Sequence, residues 1–371
     1  MSSFLFVTFD GGGNVPPLLG IAAHLQRRGH TVRVLGHDHQ RTAIESTGLR
    51  FEPYRDLTAW SATARVGNVR WAAKYLALFT DRAIGTEMLA AWRREPADLV
   101  VIDCLLFGAL GAARAEGLPY AGLVHTVNDW VTGPLARSPI ALAARLKGIA
   151  PRPLWNGARR IVVAGLSELD IAPLAANVVH TGPVWPLRPG TAVAEPPVPH
   201  VPGEPRILVS LSSIFYVGQA KVIQSIVDAV AGLPVEVVLT TGHGVAPAEI
   251  RPAANVELHA FVPHLEVMPK VSLVVSHGGH STTMLALAHD LPVLTLPMSK
   301  LGDQVAVGQA VARAGAGLAR KRSAAPAEIR AAVQRLLADG PHRPAAARLG
   351  ERIRSADGAQ RAADELEAIL A

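Results

Sequence analysis

The sequence has little cysteine and no long apolar run. Its single cysteine, Cys104, cannot form a disulfide within the chain, which excludes a disulfide-stapled fold and favours a reduced, cytoplasmic setting. No apolar run reaches the roughly 20 residues that a membrane-spanning helix needs. The chain enters an apolar strand at Phe4 without a basic flank, so we expect no signal peptide and no membrane partner.

Charged and aromatic residues are also scarce, at 18% and 5% of the chain, with a net charge of +6. Surfaces that bind nucleic acid combine clustered basic residues with aromatic side chains. The arginines here are instead scattered over predicted helices, as at 27–28, 93–94 and 320–322. We therefore predict no nucleic-acid partner, although a mild positive potential would attract an anionic ligand.

Apolar residues are abundant, at 49% of 371 residues, which is enough for the cores of two α/β domains. Short runs rich in β-branched residues alternate with stretches that carry an apolar stripe at helical spacing, and this alternation predicts doubly wound parallel sheets. A proline-rich stretch interrupts the pattern. We predict a first domain at 1–185, a linker at 186–205 and a second domain at 206–371.

The most informative stretch is Asn255 to Gln304. Val271–Ser276 and Leu291–Leu296 are predicted strands, and a loop with two glycines, residues 277–280, lies between them ahead of a helix. Residues 281–283 carry hydroxyls that we expect to cap this helix. A glycine loop at a helix N-terminus presents N–H groups and a positive dipole end, which suits a diphosphate. An ordinary turn with a hydroxyl cap is the alternative.

The order of these features resembles the nucleotide-sugar motif of family 1 glycosyltransferases of the GT-B fold. The segment FVPH at 261–264, HGG followed by STT, the strand and then GDQ are similar to the bacterial branch that decorates antibiotics and other natural products. The resemblance implies two doubly wound, Rossmann-like domains that face a cleft, with the last helix crossing back onto the first domain. It also implies inverting sugar transfer to a hydroxyl of a small hydrophobic acceptor, without a metal or other cofactor, and it leaves a homodimer open.

The same resemblance assigns the donor contacts. They are His277, Gly279, His280, Ser281 and Thr282 to the diphosphate, Ser212 and Ser213 to the same phosphates, Phe261 and Val262 to the base, and Asp303 and Gln304 to sugar hydroxyls. Phe261 is equally compatible with a core position. The acceptor lining is expected in the variable stretches 57–95 and 127–150.

One departure bears on the donor. Relatives that use ribonucleotide donors often carry a glutamate where this chain has Leu285. Leucine cannot accept a hydrogen bond from a 2′-hydroxyl, and an unpaired buried hydroxyl costs about 1–3 kcal/mol. We therefore predict a deoxyribose donor, a dTDP-sugar. The alternative is that Leu285 only packs and the ribose is held elsewhere.

A second departure bears on catalysis, because the family's histidine after strand one is replaced here by Asn14, while the family's aspartate is present as Asp103. An amide cannot accept a proton near neutral pH, so Asn14 is either a helix cap or turn residue ahead of the following prolines, or it positions a hydroxyl or a water. Asp103 or Asp10 is predicted to be the substitute base, with His125 as a weaker candidate. An acidic acceptor, such as a phenol, would need little help from any base.

Two other classes of function stay open. A non-catalytic GT-B protein that binds a nucleotide sugar and assists another transferase fits the change to Asn14 but not the intact donor loop. A nucleotide-sugar epimerase of the same fold would need a hydrolytic acid/base pair, which no residues of the sequence suggest.

Overall fold

The computed structural model describes residues 1–57, 60, 62, 65–185, 205–212 and 214–371. The chain forms two compact units, one with residues 1–62, 69–189 and 356–371, and the other with residues 63–68 and 190–355. Except for its last residue, the predicted linker at 186–205 lies outside the described residues.

The first unit is built on a parallel sheet of short apolar strands, as buried parallel strands require. The strands are β1 (Ser3–Val7), β2 (Thr31–Gly36), β3 (Arg50–Pro53), β4 (Leu99–Asp103), β5 (Tyr120–Val124), β6 (Arg160–Val163) and β7 (Val178–His180). Their order in the sheet is β3-β2-β1-β4-β5-β6-β7, and every pairing is parallel. Strands β1, β4 and β5 are therefore direct neighbours.

Helices cover both faces of this sheet. They are α1 (Val15–Arg27), α2 (Arg41–Glu45), α3 (Asn68–Phe79), α4 (Arg82–Arg94), α5 (Phe107–Glu116), α6 (Asn128–Thr132), α7 (Pro139–Leu146) and α8 (Pro151–Asn156). Helix α1 has prolines in its first turn, where the missing N–H is no loss, and Gly29 follows its end at φ +88°. Its buried Leu18 and Leu25 join the core formed with Phe4 and Phe6 of β1.

The second unit has its own parallel sheet in the order β10-β9-β8-β11-β12-β13. The strands are β8 (Arg206–Ser210), β9 (Glu236–Thr240), β10 (Val256–His259), β11 (Leu273–Ser276), β12 (Val293–Thr295) and β13 (Gly317–Ala319). The helices are α9 (Gln219–Val230), α10 (His264–Val267), α11 (His280–Ala288), α12 (Gln304–Arg313), α13 (Pro326–Leu337) and α14 (His342–Ser355).

The last helix, α15 (Gly358–Glu367), belongs to the first unit. Its apolar face packs against α1 and β6, where Leu366 is fully buried. Ion pairs connect this helix to the rest of the unit. Arg28 Nη1 lies 2.8 Å from Glu367 Oε2, and Arg160 Nε lies 3.1 Å from Glu365 Oε2. The end of the chain thus completes the core of its beginning.

Two doubly wound parallel sheets confirm the predicted fold class. The carboxyl ends of parallel strands emerge at one edge of a sheet, where α/β proteins bind ligands. The candidate residues of the first unit follow β1, β4 and β5, and those of the second unit follow β8, β10, β11 and β12. In the described ranges, no helix has the length and apolar character needed to cross a membrane.

Candidate active site

The glycine loop of the second unit joins the end of β11 to the start of α11. Gly278 donates its N–H to Ser276 Oγ at 3.1 Å and has a φ of +85°, a conformation that favours glycine. A Cβ atom at Gly278 would lie 2.6 Å from the carbonyl oxygen of Gln304. The loop is thus packed against the start of α12, and only glycine fits there.

The next glycine serves a different purpose. Gly279 is the N-cap of α11 with an ordinary φ of −64°, and a Cβ atom there would lie 2.6 Å from His277 Nε2. Glycine therefore lets the imidazole lie against the backbone. The predicted hydroxyl cap at 281–283 is wrong, because α11 begins at His280 and the Thr283 hydroxyl donates to the Gly279 carbonyl at 2.8 Å. Ser281 and Thr282 lie in the first turn, whose N–H groups and dipole suit an anion.

The imidazole of His277 is neutral at physiological pH. Burial lowers its pKa to about 4, with a further contribution from the nearby His264. Its Nδ1 atom is buried and has no hydrogen-bond partner in the described part of the chain. Because buried polar atoms are normally paired, this nitrogen marks a place where a ligand group would complete the site.

Gln304 has an internal role. It is 3% exposed, and its Oε1 accepts hydrogen bonds from the N–H groups of Met298 at 2.7 Å and Ser299 at 3.0 Å. Its Nε2 donates to the hydroxyl of Tyr216 at 2.8 Å. These bonds tie the loop after β12 to the loop after β8. Asp303 is the N-cap residue of α12 and lies immediately before this network.

The remaining donor candidates are divided between covered and exposed positions. Ser212 is 9% exposed, and its hydroxyl accepts the Ile214 N–H at 3.1 Å in the loop after β8. Ser213 lies outside the described residues. Phe261, just after β10, is 69% exposed, so it is not a core residue, while Val262 is half-buried. An exposed ring at the ligand edge of the sheet can stack on a base.

In the first unit, Asn14 does not cap α1 with its side chain, although it occupies the N-cap position and is 2% exposed. Its Oδ1 accepts the Gly11 N–H at 2.9 Å. Its Nδ2 donates to the Phe9 carbonyl and to Asp103 Oδ2, both at 2.9 Å. The side chain therefore does not cap α1, but its bond to Gly11 makes it a turn residue, and its amide nitrogen is held against Asp103.

Asp103 ends β4 and is 1% exposed. Its Oδ1 accepts the Leu105 N–H at 3.0 Å, and its Oδ2 lies between the Asn14 amide and His125 Nδ1, which is 3.4 Å away. That last distance is longer than the ~2.7–3.2 Å of an N–H···O hydrogen bond, and His125 Nδ1 has no hydrogen-bond partner in the described residues. The sheet order β1-β4-β5 brings the three side chains together.

Asp10 is more exposed and has other partners. Its Oδ1 accepts the Gly12 N–H at 3.1 Å, and its Oδ2 lies 3.1 Å from His39 Nε2. His39 and its stacked neighbour His37 were not singled out from the sequence. They follow β2 at the same edge of the sheet, and this position is the signal that could have identified them. Burial lowers the pKa of His37 to about 4, with a smaller contribution from His39.

A cavity of about 200 Å³ lies in the first unit beside this edge. Its lining is mostly apolar with an amide and guanidinium rim: Val124, Asn128, Val131, Thr132, Arg152, Trp155, Asn156, Ile161, Pro173, Ala175, Asn177 and Val178. One of these residues contacts the chain beside Asp103, since the Trp155 indole donates to the Cys104 carbonyl at 2.9 Å. Three lining residues, Asn128, Val131 and Thr132, fall within the predicted acceptor stretch 127–150.

Comparisons with known proteins find one family model over the C-terminal part of the chain and relatives over nearly its full length. Residues 224–369 match the family described as Erythromycin biosynthesis protein CIII-like, C-terminal domain. The chain is 26% identical to 4'-demethylrebeccamycin synthase of Lentzea aerocolonigenes over 99% of both proteins. It is 25% identical to L-demethylnoviosyl transferase of Streptomyces niveus over 94% of this chain and 93% of the relative.

Solved structures share the fold over the full length. CalG4, the calicheamicin glycosyltransferase, has a TM-score of 0.77 at 24% identity and covers 100% of this chain and 98% of its own. VinC in complex with dTDP has a TM-score of 0.73 at 21% identity and covers 99% of each chain. The fold is that of the solved GT-B glycosyltransferases, and the chain resembles the family 1 glycosyltransferases of natural-product and antibiotic biosynthesis.

Proposed function

We propose that this enzyme transfers a sugar, with inversion, from a dTDP-sugar to a hydroxyl of a small hydrophobic natural product. The observation that carries the proposal is the loop of His277, Gly278 and Gly279 at the N-terminus of α11. Its backbone N–H groups and a neutral imidazole can donate hydrogen bonds to one anion, and the positive end of the helix dipole stabilises the negative charge. Stabilising the leaving diphosphate in this way lowers the barrier to transfer.

The other donor residues have roles that follow from their positions. Phe261 stacks on the base, and Asp303 accepts hydrogen bonds from the sugar hydroxyls. Gln304 contributes by fixing the loop that carries Asp303, because its own amide is already bonded to Met298, Ser299 and Tyr216. The phosphate contacts are proposed for Ser212, His277, Gly279, His280, Ser281 and Thr282, together with Ser213, which lies outside the described residues.

The preference for dTDP rests on Leu285. This side chain lies on α11 at 7% exposure and offers no acceptor for a ribose 2′-hydroxyl. A ribonucleotide would leave that hydroxyl unpaired, at a cost of about 1–3 kcal/mol. Calorimetry of the full chain with dTDP and with UDP tests this preference. We expect the affinity for dTDP to exceed that for UDP by about 5–150-fold. Equal or tighter binding of UDP would remove the argument.

We assign the acceptor to the first unit, with one ring in the cavity of about 200 Å³. An engineered apolar cavity of about 150 Å³ accommodates benzene, so this space suits a single aromatic or sugar-sized ring of a larger acceptor. Val131→Trp would fill it from α6. We expect this change to raise the KM for the acceptor and leave dTDP affinity unchanged, and an unchanged acceptor KM would place the acceptor elsewhere.

The reaction needs no metal in this proposal, because the diphosphate charge is met by N–H groups and His277. Asp103, Cys104 and His125 have possible metal-ligand atoms within 4.8 Å of one another, and they belong to the first unit, whereas the glycine loop belongs to the second. Turnover should survive EDTA, and a loss restored by a divalent cation would contradict the proposal. Cytoplasmic location and a homodimer stay predictions, for fractionation and sedimentation velocity respectively.

A second candidate is a non-catalytic protein that binds a nucleotide sugar and assists another transferase. Asn14 in place of the family histidine is the observation that favours it. The two candidates separate in one assay, in which the chain is mixed with dTDP-glucose or UDP-glucose and a panel of phenols, and release of nucleotide diphosphate is followed. Acceptor-dependent release supports the enzyme, whereas tight dTDP binding with no release on any phenol supports the second candidate.

A further inference from the structure

We infer that His125 is the general base of the transfer, that Asp103 orients its ring, and that Asn14 positions Asp103. This inference rests on the proposed function. It places the proton-accepting group at the end of β5, whereas the family histidine would follow β1 at the position of Asn14. Three observations carry it: the engagement of Asn14, the burial of Asp103 and the approach of His125 to Asp103.

Asn14 cannot take the proton. Its amide has no basic lone pair near neutral pH, and both of its polar atoms are already bonded, Oδ1 to the Gly11 N–H and Nδ2 to Phe9 and Asp103. At 2% exposure the side chain also has almost no surface to offer an acceptor. What the amide does is donate to one carboxylate oxygen and so fix the carboxylate plane.

Asp103 is poorly placed to act on the acceptor directly. It is 1% exposed, and each of its oxygens has a partner, the Leu105 N–H for Oδ1 and the Asn14 amide for Oδ2. A buried carboxylate of this kind interacts strongly with a neighbouring charge because little water screens it. It is therefore suited to stabilise an imidazolium beside it, as the buried aspartate does in catalytic triads.

His125 is the neighbour in question. Asp103 pairs with Leu123 across the β4–β5 ladder, and His125 lies two residues further, so both side chains project to the same side. His125 Nδ1 lies 3.4 Å from Asp103 Oδ2, and the side chain is 13% exposed, against 1% for Asp103. A proton on Nδ1 would face this carboxylate oxygen and would leave the Nε2 lone pair for a substrate. Contacts of this kind often shorten when substrate binds.

In the transfer step, His125 Nε2 takes the proton of the acceptor hydroxyl as the acceptor oxygen forms its bond to the anomeric carbon. The bond between that carbon and the diphosphate oxygen breaks, and its electron pair leaves with the nucleoside diphosphate. The imidazolium, held by Asp103, later releases its proton to water.

The rival pair at this edge is His39 with Asp10. Their side chains are 43% and 33% exposed, and exposed charge pairs hold their geometry weakly. The pair also uses His39 Nε2 for the aspartate. His39→Gln is therefore the discriminating variant, and His24→Gln, a change on α1 away from both pairs, is the matched control for replacing a histidine.

The experiment uses the full chain, dTDP-glucose and two phenols of similar size, 4-methoxyphenol and the more acidic 4-nitrophenol. For His125→Gln we expect kcat with 4-methoxyphenol to fall by about 10²–10⁴-fold, the usual contribution of a general base. The loss with 4-nitrophenol should be much smaller, because that acceptor ionises readily. The affinity for dTDP should stay unchanged.

The outcomes are separable. Absence of turnover by the wild-type chain on every donor and phenol is a failure of the proposed function. Normal wild-type turnover with less than a ten-fold effect of His125→Gln, or an equal loss on both phenols, overturns the inference about His125. A large loss in His39→Gln confined to 4-methoxyphenol would assign the base to the rival pair. Restored turnover in the double variant His125→Gln with Asn14→His would support the inference about His125, because the added imidazole would stand on the other side of Asp103.

Discussion

Two adjacent glycines in the donor loop should respond differently to the same substitution, alanine. At Gly278 the φ of +85° penalises any side chain by about 1–2 kcal/mol. The new Cβ atom would also meet the backbone oxygen of Gln304 at 2.6 Å, where no flexible group can move aside. Together these effects should destabilise the second unit by about 2–4 kcal/mol, which lowers its unfolding temperature by about 4–16 °C.

At Gly279 the backbone conformation is ordinary, and the new Cβ atom meets only the tip of the His277 ring. The cost to stability should stay below about 1 kcal/mol, the scale of an N-cap change. Displacing the ring removes one hydrogen bond to a charged phosphate, which is worth about 1.5–3 kcal/mol. Affinity for dTDP should therefore fall by about 10–150-fold.

Scanning calorimetry and titration calorimetry with dTDP measure the two effects in the same preparations. Gly13→Ala is a matched control, since a Cβ atom there would have open space around it. The reasoning fails if Gly278→Ala unfolds within about 2 °C of the wild type. It also fails if Gly279→Ala binds dTDP as tightly as the wild type does.

Three further predictions concern His277, Phe261 and His37. His277→Ala should slow turnover by about 10²–10³-fold, as the loss of a donor to the leaving group does; unchanged kinetics would make the loop a structural turn only. Phe261→Ala should weaken dTDP binding by about 1–3 kcal/mol through lost stacking and leave the unfolding temperature unaltered, because the ring is 69% exposed. For His37 and His277 the folded-state pKa of about 4 lies below the ordinary 6.5, so the unfolded chain binds more protons between these values. The free energy of unfolding should therefore fall as the pH drops from about 6.5 to 4, by about 3 kcal/mol per histidine. Urea unfolding across that range should show a shallower fall in the free energy of unfolding for His37→Gln than for the wild type. Parallel curves for the two proteins would contradict the lowered pKa of His37.

Much of the donor site follows from local sequence. A buried parallel strand has a recognisable composition, and a loop with two glycines ahead of an alanine-rich stretch identifies a strand-to-helix turn, as β11 and α11 confirm. The residue that begins α11 was beyond this reasoning, because serine and threonine suit both an N-cap and a first turn. The exposure of Phe261 was equally undecided, since an aromatic after an edge strand can face either the core or the ligand.

The sequence by itself determined the two parallel sheets, the donor loop and the loss of the family histidine at Asn14, because each of these is encoded in a contiguous stretch. Only the tertiary structure decided what surrounds Asp103. Asn14 and His125 are far from it along the chain, and they become its neighbours because β1, β4 and β5 lie side by side in the sheet. It also decided that Gln304 supports the loop and that α15 completes the first core. Contacts between distant segments depend on strand order and packing, which no local pattern specifies.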